Sequence, residues 1–257
     1  MVLFSTCFVN WNRPELGRAA VEVLEHNDCR VVCPDLNCCG MPALDGGDVD
    51  FARLQARRNV RTLLPWVDQG YLVAVINPTC SLMIRQEYPE LLHDPADPAT
   101  TEAARRVAEA TRDISEYLFD LRREGTFKTD FRSTPGGAVA AHAPCHLRMQ
   151  SIGFRGRDLL RQIPGVQPKL IAECCGHDGT WAMKKEYFEL ARANGAKAFE
   201  GMKAVEADLW TTDCPLAALQ FRQMCGREAL HPIEVLARAY KEDGFPTPVQ
   251  VAGTEPL

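Results

Sequence analysis

The sequence predicts an α/β protein made of two repeated units, each with a small parallel sheet and flanking helices. Short apolar runs alternate with longer segments whose apolar residues recur at helical spacing. Cysteines follow the predicted strands and recur in the second half of the chain in the same order. Their spacing is nearly constant: 138 residues from Cys7 to Cys145, 136 from Cys39 to Cys175 and 134 from Cys80 to Cys214. We therefore expect a duplicated unit whose two copies face each other.

The first unit is predicted to span residues 1–124. Strands are expected in three short, mostly apolar runs, at residues 2–6, 30–33 and 71–76. Pro14 begins a helix, because proline is favoured in a first helical turn, and Asp48 is the expected N-cap of a helix that ends at Val67. The residues expected to face the core from that second helix are Phe51, Leu54, Val60 and Leu64. Two further helices are predicted at residues 82–92 and 102–123.

A linker rich in Gly, Pro, Ser and Thr is predicted at residues 125–137, before a second unit at 138–243. Strands are expected at residues 138–143, 168–172 and 208–212, and helices at 157–162, 184–204, 215–224 and 232–240. The remaining residues, 244–257, are predicted to be a loose, proline-rich tail. In both units the cysteines lie where open parallel sheets place their functional sites, at the carboxyl ends of strands.

Composition and charge exclude several classes of function. The chain has 257 residues, 46% of them hydrophobic and 25% charged, as in ordinary globular proteins. A formal charge of −5 gives no electrostatic reason to expect nucleic acid binding. No apolar run reaches the roughly 18–20 residues of a membrane span, and the amino terminus does not resemble a signal peptide. We expect a cytoplasmic protein, with peripheral contact at the inner face of a membrane left open.

The eleven cysteines are the unusual feature of the composition. A cytoplasmic chain of this length does not need disulfides for stability, so clustered cysteines indicate metal or redox chemistry. Two segments pair adjacent cysteines with a glycine, Cys38-Cys39-Gly40 and Cys174-Cys175-Gly176. Adjacent side chains on a strand point to opposite faces, so only a sharply bent loop directs both sulfurs to one site. Glycine permits such a bend because it tolerates positive φ.

The strand-end cysteines form two sets of four candidate ligands for a metal or cofactor. Thiolates are soft ligands, and a set of four suits either zinc or an iron–sulfur cluster. The three other cysteines are interpreted as small buried hydrophobic residues. The first set is Cys7, Cys38, Cys39 and Cys80; the second is Cys145, Cys174, Cys175 and Cys214; the others are Cys29, Cys33 and Cys225.

Three histidines lie beside the second set. His142 and His146 flank Cys145, and His177 follows the second Cys-Cys-Gly. Each is either a ligand, a hydrogen-bond donor to a bound cluster, or a residue that satisfies loop carbonyls. No catalytic residue is assigned, since Gly-x-Gly-x-x-Gly and Gly-x-Ser-x-Gly patterns are absent from the sequence and its aspartates show no paired spacing.

The cysteine pattern resembles the cysteine-rich CCG domains found in the B subunit of heterodisulfide reductase, in the C subunit of anaerobic glycerol-3-phosphate dehydrogenase, and in glycolate oxidase and lactate-utilisation iron–sulfur subunits. That family pattern is a single Cys, Cys-Cys-Gly after a long spacer, and then Cys-x-x-Cys. The segment from Cys174 to Glu186 looks most like the glycerol-3-phosphate dehydrogenase protein, as does Thr79-Cys80-Ser81. A ferredoxin-type segment usually precedes the domains in that protein and has no match in these residues.

The sequence departs from the family pattern once in each unit. Asn77 stands at the first Cys of Cys-x-x-Cys in the first unit, and Ala217 stands at the second Cys in the second unit. Each unit thus offers four pattern cysteines where the resemblance implies five. This puts the unusual non-cubane cluster of heterodisulfide reductase in doubt, and leaves one or two [4Fe–4S] clusters, zinc in one unit, or an empty site.

The resemblance implies an electron-transfer subunit without activity of its own. Electrons would pass from a flavoprotein dehydrogenase of hydroxy acid or glycerol 3-phosphate type toward a quinone or another acceptor, with a ferredoxin-type subunit as a further partner. One alternative is cluster-based thiol–disulfide reduction, as in heterodisulfide reductase. The other is a zinc-stabilised structural or assembly protein. Neither the donor nor the acceptor is identified by the sequence.

Overall fold

The computed structural model describes residues 1–245, and residues 246–257 of the predicted tail lie outside this range. The first unit begins with strand β1 and ends with helix α8. A turn of π-helix, Met83–Glu87, connects α5 to α6. The elements are β1 (Val2–Phe4), α1 (Cys7–Asn12), α2 (Pro14–His26), α3 (Met41–Asp45), α4 (Val49–Val67), β2 (Val73–Val75), α5 (Pro78–Leu82), α6 (Tyr88–Leu91), α7 (Pro98–Ala110), β3 (Thr111–Asp113) and α8 (Ile114–Glu124).

The second unit repeats this alternation of strands and helices. Two turns of 3-10 helix, Trp181–Met183 and Lys185–Tyr187, precede its longest helix, and Trp181 stacks on Tyr187. The elements are β4 (Gly137–His142), α9 (Cys145–Met149), α10 (Arg155–Leu160), β5 (Val166–Ile171), α11 (Phe188–Ala204), β6 (Leu209–Thr212), α12 (Pro215–Cys225), β7 (Ala229–Leu230) and α13 (Pro232–Ala239).

The two sheets share one topology. Within residues 1–245 the first sheet has the parallel order β1-β2-β3, and the second has the parallel order β5-β4-β6-β7. A parallel bridge from Val32 to Val2 extends the first sheet beside β1, at the place that β5 takes beside β4. The predicted α/β class is confirmed, as are the small parallel sheets and their flanking helices.

The predicted helix at residues 102–123 is wrong, because strand β3 interrupts it. Thr111 and Asp113 are buried, and β3 pairs with β2. The side chain of Asp113 accepts the Ser115 N–H at 3.0 Å, and Glu116 accepts the Asp113 N–H at 3.2 Å, a reciprocal cap that begins α8. The helices on either side of β3, α7 and α8, both have apolar residues at helical spacing. The periodicity of the sequence therefore did not reveal the strand between them.

Several other expectations need correction. The segment at 30–33 contributes the isolated bridge at Val32 instead of a full strand. The helix expected from residue 184 begins at Phe188, after the two 3-10 turns. Phe51 and Leu54 are 46% and 42% exposed on α4, whereas Val60 is buried. That helix instead buries the polar residue Asn59, whose side chain contacts the first Cys-Cys-Gly loop.

A single hydrophobic cluster joins the two units. Helix α2 of the first unit and α13 of the second both place their apolar faces in this cluster, together with residues of α8 and α10. Its buried members include Leu16, Val23, Leu24, Leu118, Leu159, Leu160, Ile233 and Leu236. Because burial of apolar area is the main favourable term in folding, this cluster holds the two units in a defined relative position. Within the described range, no helix is long and apolar enough to cross a membrane.

The glycine of each Cys-Cys-Gly segment has positive φ, +96° at Gly40 and +76° at Gly176. Gly176 is packed so closely that a Cβ added there would overlap the carbonyl oxygen of Ala191 on α11. Gly195, one turn further along α11, lies against the carbonyl oxygen of Cys175. The second loop therefore needs glycine both for its backbone conformation and for its contact with α11.

We expect Leu24→Ala to lower the free energy of unfolding by about 2–5 kcal/mol, since Leu24 is fully buried in the shared cluster. Unfolding should remain one cooperative transition in urea, because the cluster contains residues of both units. The control is Leu54→Ala on the exposed side of α4, with an expected change within about 0.5 kcal/mol. Two separated transitions would contradict the shared core.

We expect Gly176→Ala to be more destabilising than Gly226→Ala. Both glycines have positive φ, but nothing lies within 4 Å of a Cβ at Gly226. The change at Gly226 should cost about 1–2 kcal/mol, the penalty of a left-handed L-residue, whereas the change at Gly176 adds a backbone clash. Thermal unfolding of both variants measures the difference, and equal losses of stability would refute the close contact with α11.

Candidate functional site

Six of the eight candidate cysteines lie just beyond the carboxyl ends of parallel strands, as expected, whereas Cys38 and Cys39 follow the bridge at Val32. Cys7 is the first residue of α1 after β1, and Cys145 is the first residue of α9 after β4. Thr6, which precedes Cys7, caps α1 with its side chain and has φ of +68°, a strained value for a β-branched residue. The chain thus turns sharply to present its first cysteine.

Two buried side chains hold the first Cys-Cys-Gly loop. The Asn59 amide on α4 donates to the Cys38 carbonyl at 3.1 Å and to the Tyr88 hydroxyl at 2.9 Å. Tyr88 in turn donates to the Cys39 carbonyl at 3.0 Å, and Asn59 accepts the N–H of Asn37 at 2.9 Å. Asn59 is buried on α4 because it satisfies these loop carbonyls and this N–H, which would otherwise be costly to bury.

The second loop is held by different residues. One ring nitrogen of His142, Nε2, lies 3.0 Å from the Glu173 carbonyl, and the other, Nδ1, lies 3.0 Å from the Thr212 hydroxyl. The Gln220 amide on α12 donates to the Cys175 carbonyl at 3.4 Å. Burial lowers the pKa of His142 to about 4, so the ring is neutral at pH 7. His142 thus satisfies a loop carbonyl, which is one of the three roles expected for it.

One cavity of about 300 Å³ lies between the two units, and cysteines of both sets line it. Seven of the eight candidate cysteines contribute to its wall. They are Cys7, Cys38, Cys39 and Cys80 of the first set, and Cys145, Cys175 and Cys214 of the second. Phe8, Trp11, Met41 and Met183 add an apolar surface, and the indole of Trp11 is 84% exposed. The repeat thus brings both sets to one site.

The first set is compact. The sulfurs of Cys7 and Cys38 are 3.6 Å apart, a thiol–thiol hydrogen bond. Thiols of Cys39 and Cys7 both favour a thiolate at Cys38 and lower its pKa, whereas donation to Cys38 raises the pKa of Cys7. Contacts with Cys38 and Cys80 likewise raise the pKa of the buried Cys39.

The second set is more open. Cys174 is exposed and contributes nothing to the cavity wall; its sulfur accepts the Gly176 N–H at 3.4 Å. Burial raises the pKa of Cys175 to about 12 and raises the pKa of Cys214 further. Both thiols are therefore protonated unless a cation displaces their protons, as metal ions do when thiolates bind them.

Cys80 and Cys214 are not equivalent positions, although the sequence spacing paired them. Asn77 is the N-cap of α5 and precedes Pro78, just as Cys214 is the N-cap of α12 and precedes Pro215. Cys80 thus corresponds to Ala217, as the Cys-x-x-Cys comparison predicts. The two N-cap residues meet across the units, with Cys214 Sγ 4.0 Å from Asn77 Oδ1. Each unit therefore has a different cysteine of the Cys-x-x-Cys motif. The first unit has the second one, Cys80, and the second unit has the first one, Cys214.

His146 and His177 line the cavity, whereas His231, the fourth histidine of the second unit, caps α13 and is not part of the cavity wall. His146 Nδ1 lies 2.8 Å from the hydroxyl of Thr79, a contact between the units. His177 differs, because its Nε2 atom is buried without a hydrogen-bond partner among residues 1–245. Burial lowers the pKa of both rings.

The three cysteines outside the two sets do not all fit their expected role. Cys29 is half-buried and lies 3.3 Å from the Tyr117 hydroxyl, and Cys225 is also half-buried. Cys33 is exposed, so the expectation of a buried hydrophobic residue is wrong there. The bridge at Val32 leaves the following residue at the surface, since no full strand forms.

Sequence reasoning missed the residues that support the loops: Asn59, Tyr88 and Gln220. Their signal was present, because Asn59 and Gln220 are polar residues at otherwise apolar, inward positions of helical segments. Gln150 was also missed, because its hydrogen-bond partners are distant in sequence. Its amide donates to the Pro78 carbonyl at 3.1 Å and to the Ser81 hydroxyl at 2.9 Å, both in the other unit.

The donors do not form the site of a single metal ion. Among residues 1–245, no three His, Cys, Asp or Glu side chains converge where they would hold one ion. The donors instead surround a cavity, with a compact thiol set on one side and an open set on the other. Several soft thiol donors on the wall of one cavity fit an iron–sulfur group, whose protein ligands are Cys thiolates.

Comparisons with known proteins show one family match in each unit. The model of a family described as cysteine-rich domain, CCG, matches residues 1–85 and 139–222, one match in each unit. The C subunit of anaerobic glycerol-3-phosphate dehydrogenase from Escherichia coli K12 is 33% identical over 243 residues, 93% of this chain and 59% of that protein. Lactate utilization protein A of Bacillus cytotoxicus is 30% identical over 189 residues, 72% of this chain and 74% of that protein.

This chain thus spans about three fifths of the length of the Escherichia coli protein. Lactate utilization protein A of Bacillus cereus G9842 shows the same 30% identity over 189 residues. Both family matches contain a Cys-Cys-Gly loop at the wall of the shared cavity. The chain belongs to the cysteine-rich CCG domain family, with two copies of the domain.

Proposed function

We propose that this protein is the iron–sulfur electron-transfer subunit of a dehydrogenase complex. The observation that carries the proposal is the cavity between the units, whose wall contains cysteines from both Cys-Cys-Gly domains. Two groups bound to these sets would lie on opposite sides of one small volume, an arrangement suited to passing electrons from one to the other.

The proposed ligands are the seven cysteines of the two sets that line the cavity; Cys174, the eighth expected from the sequence, lies outside its wall. When bound, iron–sulfur clusters would supply reversible one-electron oxidation and reduction. The chain would hold them in place through the loop contacts of Asn59, Tyr88, His142 and Gln220. Burial and loop hydrogen bonds would set the reduction potential. The cluster type proposed is [4Fe–4S], one in each unit or one in total.

The proposed electron donor is a flavoprotein subunit that oxidises glycerol 3-phosphate or a hydroxy acid. The names of the relatives support this choice, since they include a glycerol-3-phosphate dehydrogenase subunit and lactate utilization proteins. The proposed acceptor is a quinone, reached directly or through a ferredoxin-type subunit. We place the complex in the cytoplasm, against the inner face of the membrane.

Thiol–disulfide reduction is a second candidate, because the cavity lies between the two sets where a disulfide substrate could enter. Its wall also contains apolar side chains such as Trp11 and Met183, which would accept an organic molecule. Reduction of a small disulfide by the isolated, reduced chain, at a rate comparable with turnover of the complex, would favour this candidate over electron transfer alone.

We expect protein purified without oxygen to contain iron and acid-labile sulfide in equal amounts, about four of each per occupied set. Cys7→Ser with Cys80→Ser should empty the first set, and Cys145→Ser with Cys214→Ser should empty the second. Electron paramagnetic resonance before and after dithionite then assigns a signal to each set.

The matched control is Cys33→Ser, which changes an exposed cysteine outside both sets and should leave the iron content unchanged. Zinc without sulfide would identify a structural metal site and contradict electron transfer. Protein without either metal would refute the ligand sets. Iron that survives both paired substitutions would show that other residues bind it.

A further inference from the structure

We infer that His177 replaces Cys174 as a ligand of the second set, so that the group bound there is held by three thiolates and one imidazole. This inference rests on the proposed iron–sulfur function and specifies the ligands of its second site. The donors would be Cys145, Cys175, Cys214 and His177 Nε2, all from residues that line the shared cavity.

The two Cys-Cys-Gly loops differ in where they direct their first cysteine. Cys38 lines the cavity and lies 3.6 Å from Cys7, so the first loop directs both of its cysteines toward the site. Cys174, at the equivalent position, is exposed and is not part of the cavity wall. Its sulfur is instead held by the N–H of Gly176 within its own loop. One ligand position of the second set is therefore unfilled by sulfur.

The His177 ring has a nitrogen available for that position. Its Nε2 atom is buried and has no hydrogen-bond partner among the described residues. A buried polar nitrogen without a partner is costly, and such atoms in native structures usually meet a ligand, an ion or a water. Neutral imidazole is a common metal ligand through either ring nitrogen.

The other histidines of the unit are less suited to that position, and His231, whose Nε2 atom is also without a partner among the described residues, caps α13 and is not part of the cavity wall. Both nitrogens of His142 have partners, the Glu173 carbonyl and the Thr212 hydroxyl. Nδ1 of His146 is engaged with Thr79 of the other unit. Of these four rings, only that of His177 combines a place in the cavity wall with a buried nitrogen that has no partner in the described part of the chain.

The loop itself brings the ring to this place. Gly176 and Gly179, both with positive φ, bracket His177 and turn the chain between Cys175 and the 3-10 helix at Trp181. The first loop has Met41 at the position of His177, directly after its glycine. The two sites therefore differ in donor chemistry, and histidine in place of cysteine raises the reduction potential of an iron–sulfur cluster. The second site should be the more oxidising of the two.

The test uses the full chain with Cys7→Ser and Cys80→Ser, so that only the second set binds iron, reconstituted without oxygen with iron and sulfide. Electron spin echo envelope modulation of the dithionite-reduced sample should show coupling of the electron spin to a histidine nitrogen. Incorporation of ¹⁵N-histidine should change the modulation frequencies. His177→Ala should abolish this coupling and lower the iron content at least several-fold, whereas Cys174→Ser should retain both.

His177→Cys is the informative second variant, because it restores a fourth sulfur at the inferred position. We expect it to retain iron and sulfide, to lose the nitrogen coupling and to shift the midpoint potential to a more negative value. His146→Ala is the matched control and should keep the coupling. Circular dichroism of each metal-free variant verifies that the fold persists, so that a loss of iron reports on the ligand.

The possible failures are distinguishable. A parent chain without iron and sulfide contradicts the proposed function and the ligand set with it. A parent that binds iron but shows no nitrogen coupling contradicts only the role of His177. Loss of iron in Cys174→Ser, with full iron in His177→Ala, would assign the fourth position to Cys174. Loss of the coupling in His146→Ala alone would assign it to His146.

Discussion

The apolar cluster shared by the two units is the contact on which the site depends. Helix α2 belongs to the first unit and α13 to the second, and their buried faces form one core with α8 and α10. A parallel sheet directs its functional loops to one edge, but only packing between the units makes two such edges face each other. The cavity and its two sets of cysteines follow from that packing.

Duplication accounts for the common topology, and divergence accounts for the differences in chemistry. The sheets have matching strand orders, and Asn77 and Cys214 occupy the same N-cap position before a proline. Yet Asn77 provides no thiolate, and its Oδ1 atom lies 4.0 Å from the sulfur of Cys214 in the other unit. The compact first set and the open second set are thus related sites with different donors. If both sets bind clusters as proposed, this difference would give the two clusters different reduction potentials.

Much of this organisation could be predicted, because repeated motifs carry their own constraints. The glycine after each pair of cysteines permits a sharp bend with positive φ, and both Gly40 and Gly176 have it. The break at Asp113 could not be read from periodicity, since helical segments lie on both sides of β3. The roles of Asn59 and Gln220 also could not be assigned, because the loop carbonyls they satisfy are distant in sequence.

The sequence by itself determined the α/β class, the duplication and the identity of the cysteines that follow each strand, because these depend on local periodicity and on motif spacing. Only the tertiary structure decided which cysteines share a cavity, that Cys174 lies outside it, and that a nitrogen of His177 is left without a partner among the described residues. The physical reason is that side-chain direction in a bent loop depends on what packs against it. For the second loop that contact is the backbone of α11, against which Gly176 is pressed.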